Sequence, residues 1–467
     1  MDTEGGGARP RIEELESMMT SSVATQEQTI DQLLHRIRAR TASIGVIGLG
    51  YVGLPLVLLF EEAGFPVTGF DVDANKTEML SRGESYIRHI GLDRIKKAFE
   101  RKRAIATTNF EHLAKCDAII ICVPTPLGIH REPDLQYIRM TAETVAKYVR
   151  RGQLIVLEST TYPGTTREEL LPRLEASGLQ CGRDFFLAFS PEREDPGNPN
   201  FNTRTIPKVV GGMDAHSLRA AELLYSAAVE RVVPVSSVEI AESAKLLENV
   251  FRAVNIALVN ELKIVFDRMG IDVWQVIEAA KTKPFGFMPF YPGPGLGGHC
   301  IPLDPFYLSW KAAEFGVWAR FIELAGEINT SMPHHVIEKT IAALNDDGKS
   351  IRGAKVVVLG LSYKPDIDDD RESPSFEILE LLLAGGAEIS YCDPYIPVAR
   401  KVRKHDLQLE SIPCSAEAFE EFDAVVIATA HSQFHDRNLY RRTKLVIDTR
   451  NIVPSPAAGD AYRLVKA

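Results

Sequence analysis

A series of short apolar runs separated by helical segments occurs twice in this 467-residue chain. Each series opens with an apolar run that enters a glycine-bearing turn and continues with a run that ends in an acid, Asp71 or Asp393. Runs of this kind alternating with helices are typical of βαβ units in a parallel sheet. We therefore predict an α/β protein with two Rossmann-like, doubly wound parallel-sheet domains related by a distant internal repeat. The runs are 43–50, 66–73, 117–124 and 153–160, then 355–362, 387–394, 423–430 and 444–451.

A long helical pattern over 241–270 separates the two series, and it is apolar around much of its circumference. Such a helix needs partners on more than one side, so we expect it to form the spine of a homodimer or a higher homo-oligomer. The predicted organisation has four parts: an N-terminal extension with one helix (1–42), an NAD-binding Rossmann domain (43–214), a central helical dimerisation region (215–335) and a C-terminal Rossmann-like domain (336–467).

Charge and composition exclude several classes of partner. The chain has 53 basic and 63 acidic residues, a net charge of −10, and its basic residues form no block. This argues against nucleic acid or an anionic membrane surface as a partner. We find no apolar run of membrane-spanning length, no signal-peptide pattern and no paired cysteines, so the expected location is the cytoplasm.

The first apolar run leads into "GLGYVG", residues 48–53, with glycines spaced G-x-G-x-x-G. In this pattern Gly48 permits a tight turn, Gly50 lets the backbone approach a pyrophosphate, and Gly53 allows close helix packing. Asp71 follows the second run and is placed to bind the adenosine ribose, which favours NAD over NADP. Lys76 either binds the pyrophosphate or extends into solvent. The predicted cofactor residues here are Gly48, Gly50, Tyr51, Val52, Gly53, Asp71 and Lys76.

Polar residues follow two further strands at the edge where ligands bind in such folds. Pro124 and Thr125 follow the third run and Thr160 the fourth, where they either line a nicotinamide or only end the strands. Next, "SPER" at 190–193 carries Glu192 and Arg193, either as site residues or as solvated charge.

Lys245 and Asn249 stand four residues apart on the long helix, where both interrupt the apolar stripe. They either converge on an oxyanion or a sugar hydroxyl, or extend to the surface.

Cys300 lies in "GPGLGGHCIPLDP", close to His299 and Asp304. A metal site would require more ligands at recognisable spacing than this loop supplies. An inert core cysteine is a second interpretation, although cores seldom occupy loops so rich in glycine and proline. A third is a nucleophilic thiolate that adds to an aldehyde beside a bound nicotinamide.

From Ser43 to Ala467 the chain resembles the UDP-glucose/GDP-mannose 6-dehydrogenase family. The resemblance rests on "GLGYVGLPL", "VPTPL", "STTYPGTT", "SPER", "KLLENVFRAVNIALVNEL", "GPGLGGHCIPLDP" and "YKPDIDDDRESP", in that order. Within the family, the motifs look most like the UDP-N-acetylglucosamine 6-dehydrogenase branch. Asn255 stands where glucose-specific members place an arginine that reaches the neighbouring subunit, which argues against plain UDP-glucose.

The resemblance implies a role for each matching residue. Cys300 would be the covalent nucleophile, Lys245 and Asn249 would stabilise negative charge on the C6 oxygen, and Asp304 would orient or activate water with help from Thr160 and Glu192. Arg371 would approach the cofactor. The remaining implied substrate residues are Arg193, Asn255, Tyr291, Gly293, Gly295, Gly297, Lys364 and Arg450.

The expected activity is therefore an NAD-dependent, four-electron oxidation of the C6 alcohol of UDP-N-acetylglucosamine, for polysaccharide precursor synthesis, with no metal. Three alternatives remain open: a UDP-N-acetylmannosamine or UDP-glucose 6-dehydrogenase, a two-electron hydroxyacid-type dehydrogenase, and a non-catalytic NAD-binding scaffold.

Overall fold

The computed structural model describes residues 27–87, 90–128, 132–193, 201–298, 301–402 and 404–467. The chain divides into two compact units, Met1–Lys245 and Leu246–Ala467. The division falls within one long helix, α8 (Val238–Arg268).

The first unit is built on an eight-stranded sheet of order β3-β2-β1-β4-β5-β6-β7-β8. Aliphatic and aromatic side chains fill the central strands, and every residue of β1, β2, β4, β5 and β6 is buried, as a sheet covered on both faces requires. The strands are β1 (Ile44–Ile47), β2 (Val67–Phe70), β3 (Ala104–Thr107), β4 (Ala118–Ile121), β5 (Leu154–Leu157), β6 (Phe186–Phe189), β7 (Lys208–Gly212) and β8 (Val232–Val235).

The doubly wound fold predicted for this part of the chain is confirmed. Six neighbouring strands have the Rossmann order β3-β2-β1-β4-β5-β6, in which the direction of the winding reverses between β1 and β4. One pair departs from the predicted parallel arrangement: β7 runs antiparallel to β6, with Ala188 opposite Gly212 and Phe189 opposite Gly211. Strand β8 pairs with β7, so residues 215–237, placed in the central helical region by the sequence, belong to the sheet of the first unit.

Helices cover this sheet. The described residues 27–38 form α1, and its apolar residues Ile30, Leu33, Leu34 and Ile37 are buried in the core of the unit. The others are α2 (Gly53–Glu62), α3 (Ala74–Ser81), α4 (Leu92–Glu100), α5 (Gln136–Tyr148), α6 (Leu171–Glu175) and α7 (Ala215–Ser226).

The second unit contains most of α8 and a five-stranded parallel sheet of order β10-β9-β13-β14-β15. Numbered along the chain, this is the 2-1-3-4-5 order of flavodoxin-like folds, with a reversal between β9 and β13. The strands are β9 (Lys355–Leu359), β10 (Glu388–Cys392), β13 (Ala424–Ile427), β14 (Leu445–Asp448) and β15 (Arg463–Lys466), with a separate pair β11 (Val398–Ala399) and β12 (Leu409–Glu410).

The helices of the second unit precede and cover its sheet. They are α9 (Val273–Ala280), α10 (Asp304–Glu314), α11 (Arg320–Asp346), α12 (Pro374–Ala384) and α13 (Ala416–Glu420). Apolar side chains of α11 and α12 pack with Val356 and Val358 of β9 in one buried cluster, whereas Val357 and Leu359 belong to another. None of the helices in the described ranges is long and apolar enough to cross a membrane.

Equivalent hydrogen bonds in the two units confirm the internal repeat. Gly48 and Gly360 have φ of 91° and 90°, and each donates its N–H over 2.8 Å to the last residue of the second strand, Phe70 or Cys392. The strand-ending acids also correspond, because Asp71 accepts from Leu49 N at 2.9 Å and Asp393 from Leu361 N at 2.6 Å.

Lys263 of α8 is a buried cation in the second unit. Among the described residues, none hydrogen-bonds its Nζ, and Lys339 of α11 is paired with Asp267 at 2.9 Å. Burial lowers the pKa of Lys263 to about 8, against the partial opposition of Asp267 and Asp448. The folded state therefore carries an ammonium group whose charge is poorly compensated.

We expect Lys263→Met to stabilise the protein at neutral pH. The folded pKa of about 8 lies below the unfolded value of about 10.4, so below pH 8 both states bind the proton and the folded state carries the full cost, about 3 kcal/mol. Between pH 8 and pH 10 the unfolded chain binds more protons, and this cost disappears as pH rises. Urea unfolding at pH 7 and pH 10 should show a gain for the variant that vanishes at pH 10. Lys339→Met serves as the control, and a variant less stable than the parent at pH 7 would contradict the interpretation.

Candidate active site

The turn after β1 has the geometry of a dinucleotide-binding loop. A Cβ at Gly48 would lie 2.3 Å from the carbonyl oxygen of Cys122, and one at Gly53 would lie 1.8 Å from that of Gly48, so both positions exclude a side chain. A Cβ at Gly50 would meet nothing within 4 Å. Tyr51 and Val52 follow on the way into α2, whose N-terminus begins at Gly53 directly after this turn. The residues therefore fit a cofactor pyrophosphate, with open space where Gly50 would meet it.

Asp71 braces this turn from the end of β2. Its carboxylate is buried and accepts hydrogen bonds from Leu49 N at 2.9 Å and Asp73 N at 3.0 Å. Lys76 Nζ lies 3.2 Å from the same carboxylate, so the structure pairs these two predicted cofactor residues with each other. The carboxylate thus holds the turn in place at the point where a ribose would bind.

The loops after β4 and β5 meet at the adjacent part of the sheet edge. Thr125 is buried and donates its hydroxyl to the carbonyl of Thr160 at 2.7 Å, while Pro124 beside it is exposed. Ser159 bonds the backbone of Val123 in both directions, at 3.0 and 2.7 Å. The two predicted threonines are therefore neighbours.

Glu242 ties the start of α8 to the loop that carries Thr160. Its carboxylate accepts from Gly164 N at 2.6 Å and from Thr166 N at 2.9 Å, and burial raises its pKa to about 7. Lys245 lies one turn further along α8 and is also buried. The sequence analysis missed Glu242, although an acid one turn before Lys245 on an apolar helix was a usable signal.

Glu192 and Arg193 are held against β7. Glu192 lies 3.2 Å from Lys208 Nζ, and Arg193 donates to the carbonyl of Pro207 at 2.8 Å. Lys208 was also missed, because a lone lysine at the start of a strand is more often a solvated surface residue.

In the second unit, Asn249 of α8 and Asp304 at the start of α10 make a buried contact. The amide of Asn249 donates to Asp304 Oδ2 at 2.6 Å, and both side chains are buried. Cys300 precedes Asp304 by four residues, but Cys300 and His299 lie outside the described residues. Asn255 is half-buried and donates to the carbonyl of Phe251 on its own helix at 2.7 Å.

The glycines before Cys300 lie against protein atoms. A Cβ at Gly293 would meet Arg450 Nη1 at 2.4 Å, one at Gly295 the Cβ of Pro374 at 2.9 Å, and one at Gly297 the Cβ of Tyr363 at 2.6 Å. At Gly295 and Gly297 a side chain would therefore clash with Pro374 and Tyr363, so glycine serves the packing of the loop at these two positions.

Two asparagines that the sequence analysis missed anchor the same loop. Gly293 N donates to Asn260 Oδ1 of α8 at 3.0 Å, and Asn260 in turn donates to Asn329 of α11 at 2.9 Å.

The remaining predicted residues occupy three places in the second unit. Tyr291 stacks on Trp274 at 5.9 Å and donates its hydroxyl to Glu278 at 2.7 Å. Arg450 follows β14 and donates to the carbonyl of Ala428 at 2.8 Å, and burial lowers the pKa of its guanidinium to about 10.

Lys364 and Arg371 lie in the segment after β9. Lys364 is half-buried and its carbonyl accepts from the hydroxyl of Ser362 at 2.9 Å. The guanidinium of Arg371 pairs with Asp369 at 2.6 Å, and its carbonyl accepts from Gly298 N at 3.0 Å. The structure therefore brings this segment to the glycine loop within the second unit.

Comparison with known proteins identifies the fold and the kind of site. Three consecutive segments match the UDP-glucose/GDP-mannose dehydrogenase family: its NAD binding domain over residues 42–229, its central domain over 239–331 and its UDP binding domain over 357–455. The chain belongs to this family. It is an NAD-dependent nucleotide-sugar dehydrogenase, as the sequence resemblance implied, and a UDP-sugar is its class of substrate.

Relatives in this family have more than one substrate name. The chain is 34% identical over 404 residues to "UDP-N-acetyl-D-glucosamine 6-dehydrogenase" of Pseudomonas aeruginosa, covering 86% of this chain and 93% of that protein. It is 36% identical over 428 residues to "UDP-N-acetyl-D-mannosamine dehydrogenase" of Pyrococcus horikoshii, covering 90% and 98%. A solved structure titled as the UDP-D-ManNAc dehydrogenase of Pyrococcus horikoshii matches with a TM-score of 0.83 and 34% identity, over 91% of this chain and 99% of that one.

Substitutions at Gly50 and Gly53 should separate cofactor binding from folding. We expect Gly50→Ala to fold normally and to weaken NAD binding about tenfold, because the new methyl group occupies the open space in the turn. Gly53→Ala should cost about 1–3 kcal/mol of stability, because its Cβ would meet the carbonyl of Gly48. Titration calorimetry with NAD and thermal unfolding measure the two effects. Equal NAD affinity for Gly50→Ala and the parent would contradict the proposed cofactor position.

Proposed function

We propose that the protein uses two molecules of NAD to oxidise the C6 alcohol of a UDP-N-acetylhexosamine to the carboxylate. The first candidate for this substrate is UDP-N-acetylglucosamine. The observation that carries the proposal is the buried contact between Asn249 and Asp304, four residues after Cys300, in a chain whose three segments match a nucleotide-sugar dehydrogenase family. It supports an amide and a carboxylate that are held together close in sequence to Cys300.

Each residue has one task in this reaction. NAD held at the turn of Gly48, Gly50 and Gly53 would supply the acceptor for the hydride that leaves C6 in each oxidation. The first oxidation gives an aldehyde, and the Cys300 thiolate adds to its carbon to form a thiohemiacetal. The ammonium of Lys245 and the amide of Asn249 stabilise the negative charge on the C6 oxygen.

The second oxidation gives a thioester, which water hydrolyses. Asp304 orients this water, and Thr160 and Glu192 assist. The carbon–sulfur bond breaks, the thiol is regenerated and the uronate leaves, so four electrons leave the sugar in all.

The identity of the sugar rests on one position and on the relatives. Asn255 bonds back to its own helix, which supports the expectation that plain UDP-glucose is not the substrate. The relatives named above act on the two epimers, UDP-N-acetylglucosamine and UDP-N-acetylmannosamine, according to their names. The motifs favour the first, and the second is the alternative.

The ratio of NADH formed to sugar consumed tests the activity. Purified protein with excess NAD and limiting UDP-N-acetylglucosamine should form about two NADH per sugar, because two hydrides leave one carbon. UDP-N-acetylmannosamine and UDP-glucose are the comparison substrates. One NADH per sugar would indicate a two-electron dehydrogenase, and none with any sugar would indicate a non-catalytic NAD-binding protein.

In the same assay Cys300→Ser should abolish uronate formation and leave NAD affinity unchanged. Uronate formation at the parental rate would exclude the thioester.

The apolar stripe along α8 supports a homodimer as the assembled state. Leu247, Phe251, Leu258 and Val265 are exposed and spaced by four, seven and seven residues, so they lie along one face of the helix. A two-fold axis across this face would let the stripe of one copy cover that of another.

Charge placed on this stripe should separate the subunits. We expect Leu258→Glu to give a monomer in sedimentation velocity at a concentration where the parent is a dimer, because the carboxylate would be desolvated in the interface. Arg252→Gln, exposed and about 120° around the helix from Leu258, is the control. A parent that sediments as a monomer would refute the dimer.

A further inference from the structure

A buried ionic cluster lies next to Glu192 in the first unit. Lys208, the first residue of β7, places its Nζ 2.7 Å from Glu158 Oε2 and 3.2 Å from Glu192 Oε2. Tyr225 of α7 donates its hydroxyl to the other oxygen of Glu158. Glu158 follows β5 directly, so three different elements supply the cluster.

The cluster is almost completely enclosed. Glu158, Lys208 and Tyr225 are buried, whereas the side chain of Glu192 remains 13% exposed, which makes it the member nearest to solvent. Burial raises the pKa of the Glu158 carboxyl. Burial alone would lower the pKa of Lys208, but the two neighbouring carboxylates raise this pKa above its ordinary value. Lys208 therefore stays charged between the two acids.

An ion pair buried in this way is an inefficient source of stability. Desolvation of the two charges offsets much of their attraction, and apolar residues of similar volume would serve the core as well. The arrangement has a consequence that apolar residues could not reproduce: it fixes a cation beneath Glu192.

Glu192 is held from the other side as well. Its Oε1 accepts from Arg193 N at 2.7 Å, and Arg193 is bonded to Pro207, the residue before Lys208. The segment 190–193 is thus joined to β7 at both the backbone and the side chain, so the carboxylate of Glu192 has a fixed place and a fixed charged partner.

We propose that Lys208, itself held by Glu158 and Tyr225, is a positioning residue that fixes the carboxylate of Glu192 and keeps it ionised for the hydrolytic step. The inference rests on the proposed function, in which Glu192 assists hydrolysis. Lys208 does not touch the substrate in this scheme and acts only through Glu192.

The test replaces the ion pair as a unit. Lys208→Met alone would leave two buried carboxylates without a cation and endanger the fold. The double variant Glu158→Gln/Lys208→Met removes both charges and keeps an acceptor for Tyr225. The control is Arg139→Met/Glu169→Gln, which removes another ion pair of the same unit, one with 2.8 Å contacts away from Glu192.

The expected result is a change in the pH profile of turnover. Without the cation, Glu192 binds a proton more readily, so the acid limb of kcat should move to higher pH by about one unit. Because the carboxylate of Glu192 also loses its fixed position, we expect kcat at pH 7, above the acid limb, to fall about tenfold, with KM for the UDP-sugar and the affinity for NAD within a factor of two. Lys208→Arg should restore most of the activity, and the control variant should match the parent.

Three further outcomes decide the proposal. In a Glu192→Gln background, the double substitution should have no additional effect on the acid limb. If the double variant fails to fold, Glu158→Gln/Lys208→Leu replaces it and should move the limb in the same direction. If the parent forms two NADH per sugar but the acid limb of the variants is unchanged, the role of Lys208 is wrong and the proposed function still holds. A parent that oxidises no UDP-sugar would overturn both.

Discussion

A carboxylate at the end of the second strand fixes the turn after the first strand in each unit, and the nucleotide-binding edge depends on this interaction. Asp71 accepts one N–H of its turn and pairs with Lys76, whereas Asp393 accepts from the backbone of residues 361, 362, 395 and 396 and from a histidine ring, His431. The turns differ accordingly: the first keeps open space at Gly50, and the second has Ser362, buried and bonded to His431, at the equivalent position. The same framework thus retains a cofactor turn in one unit and closes it in the other.

Helix α8 carries polar groups that apolar packing would not select. Glu242 bonds the loop after β5, Asn249 bonds Asp304, and Asn260 bonds the glycine loop. Since each buried polar group costs free energy unless it is hydrogen-bonded, these contacts also determine the register of the helix against the segments that it holds. Lys263 is the exception on this helix, and its cost is the reason why its replacement should stabilise the protein.

The glycine-rich loop before Cys300 shows why composition alone misleads about a site. Its glycines invite the interpretation that a ligand approaches the backbone, but Arg450, Pro374 and Tyr363 occupy the space in which side chains would project. The loop is therefore shaped first by its packing within the second unit. Such contacts join residues more than 60 positions apart, and no local pattern records them.

The sequence by itself determined the two parallel sheets, the glycine turn with its acid, the paired strand-end loops and the long helix, because each of these has a period or a spacing set by backbone geometry. It did not predict the antiparallel β7, or that β8 extends the first sheet, since β8 has only four residues and its proline argues against a strand. Tertiary structure alone decided that Lys208 lies between Glu158 and Glu192 and that Asn249 meets Asp304. The partners of a buried charge are chosen by desolvation, which penalises every unpaired arrangement, and that choice exists only once the strands and helices have been packed.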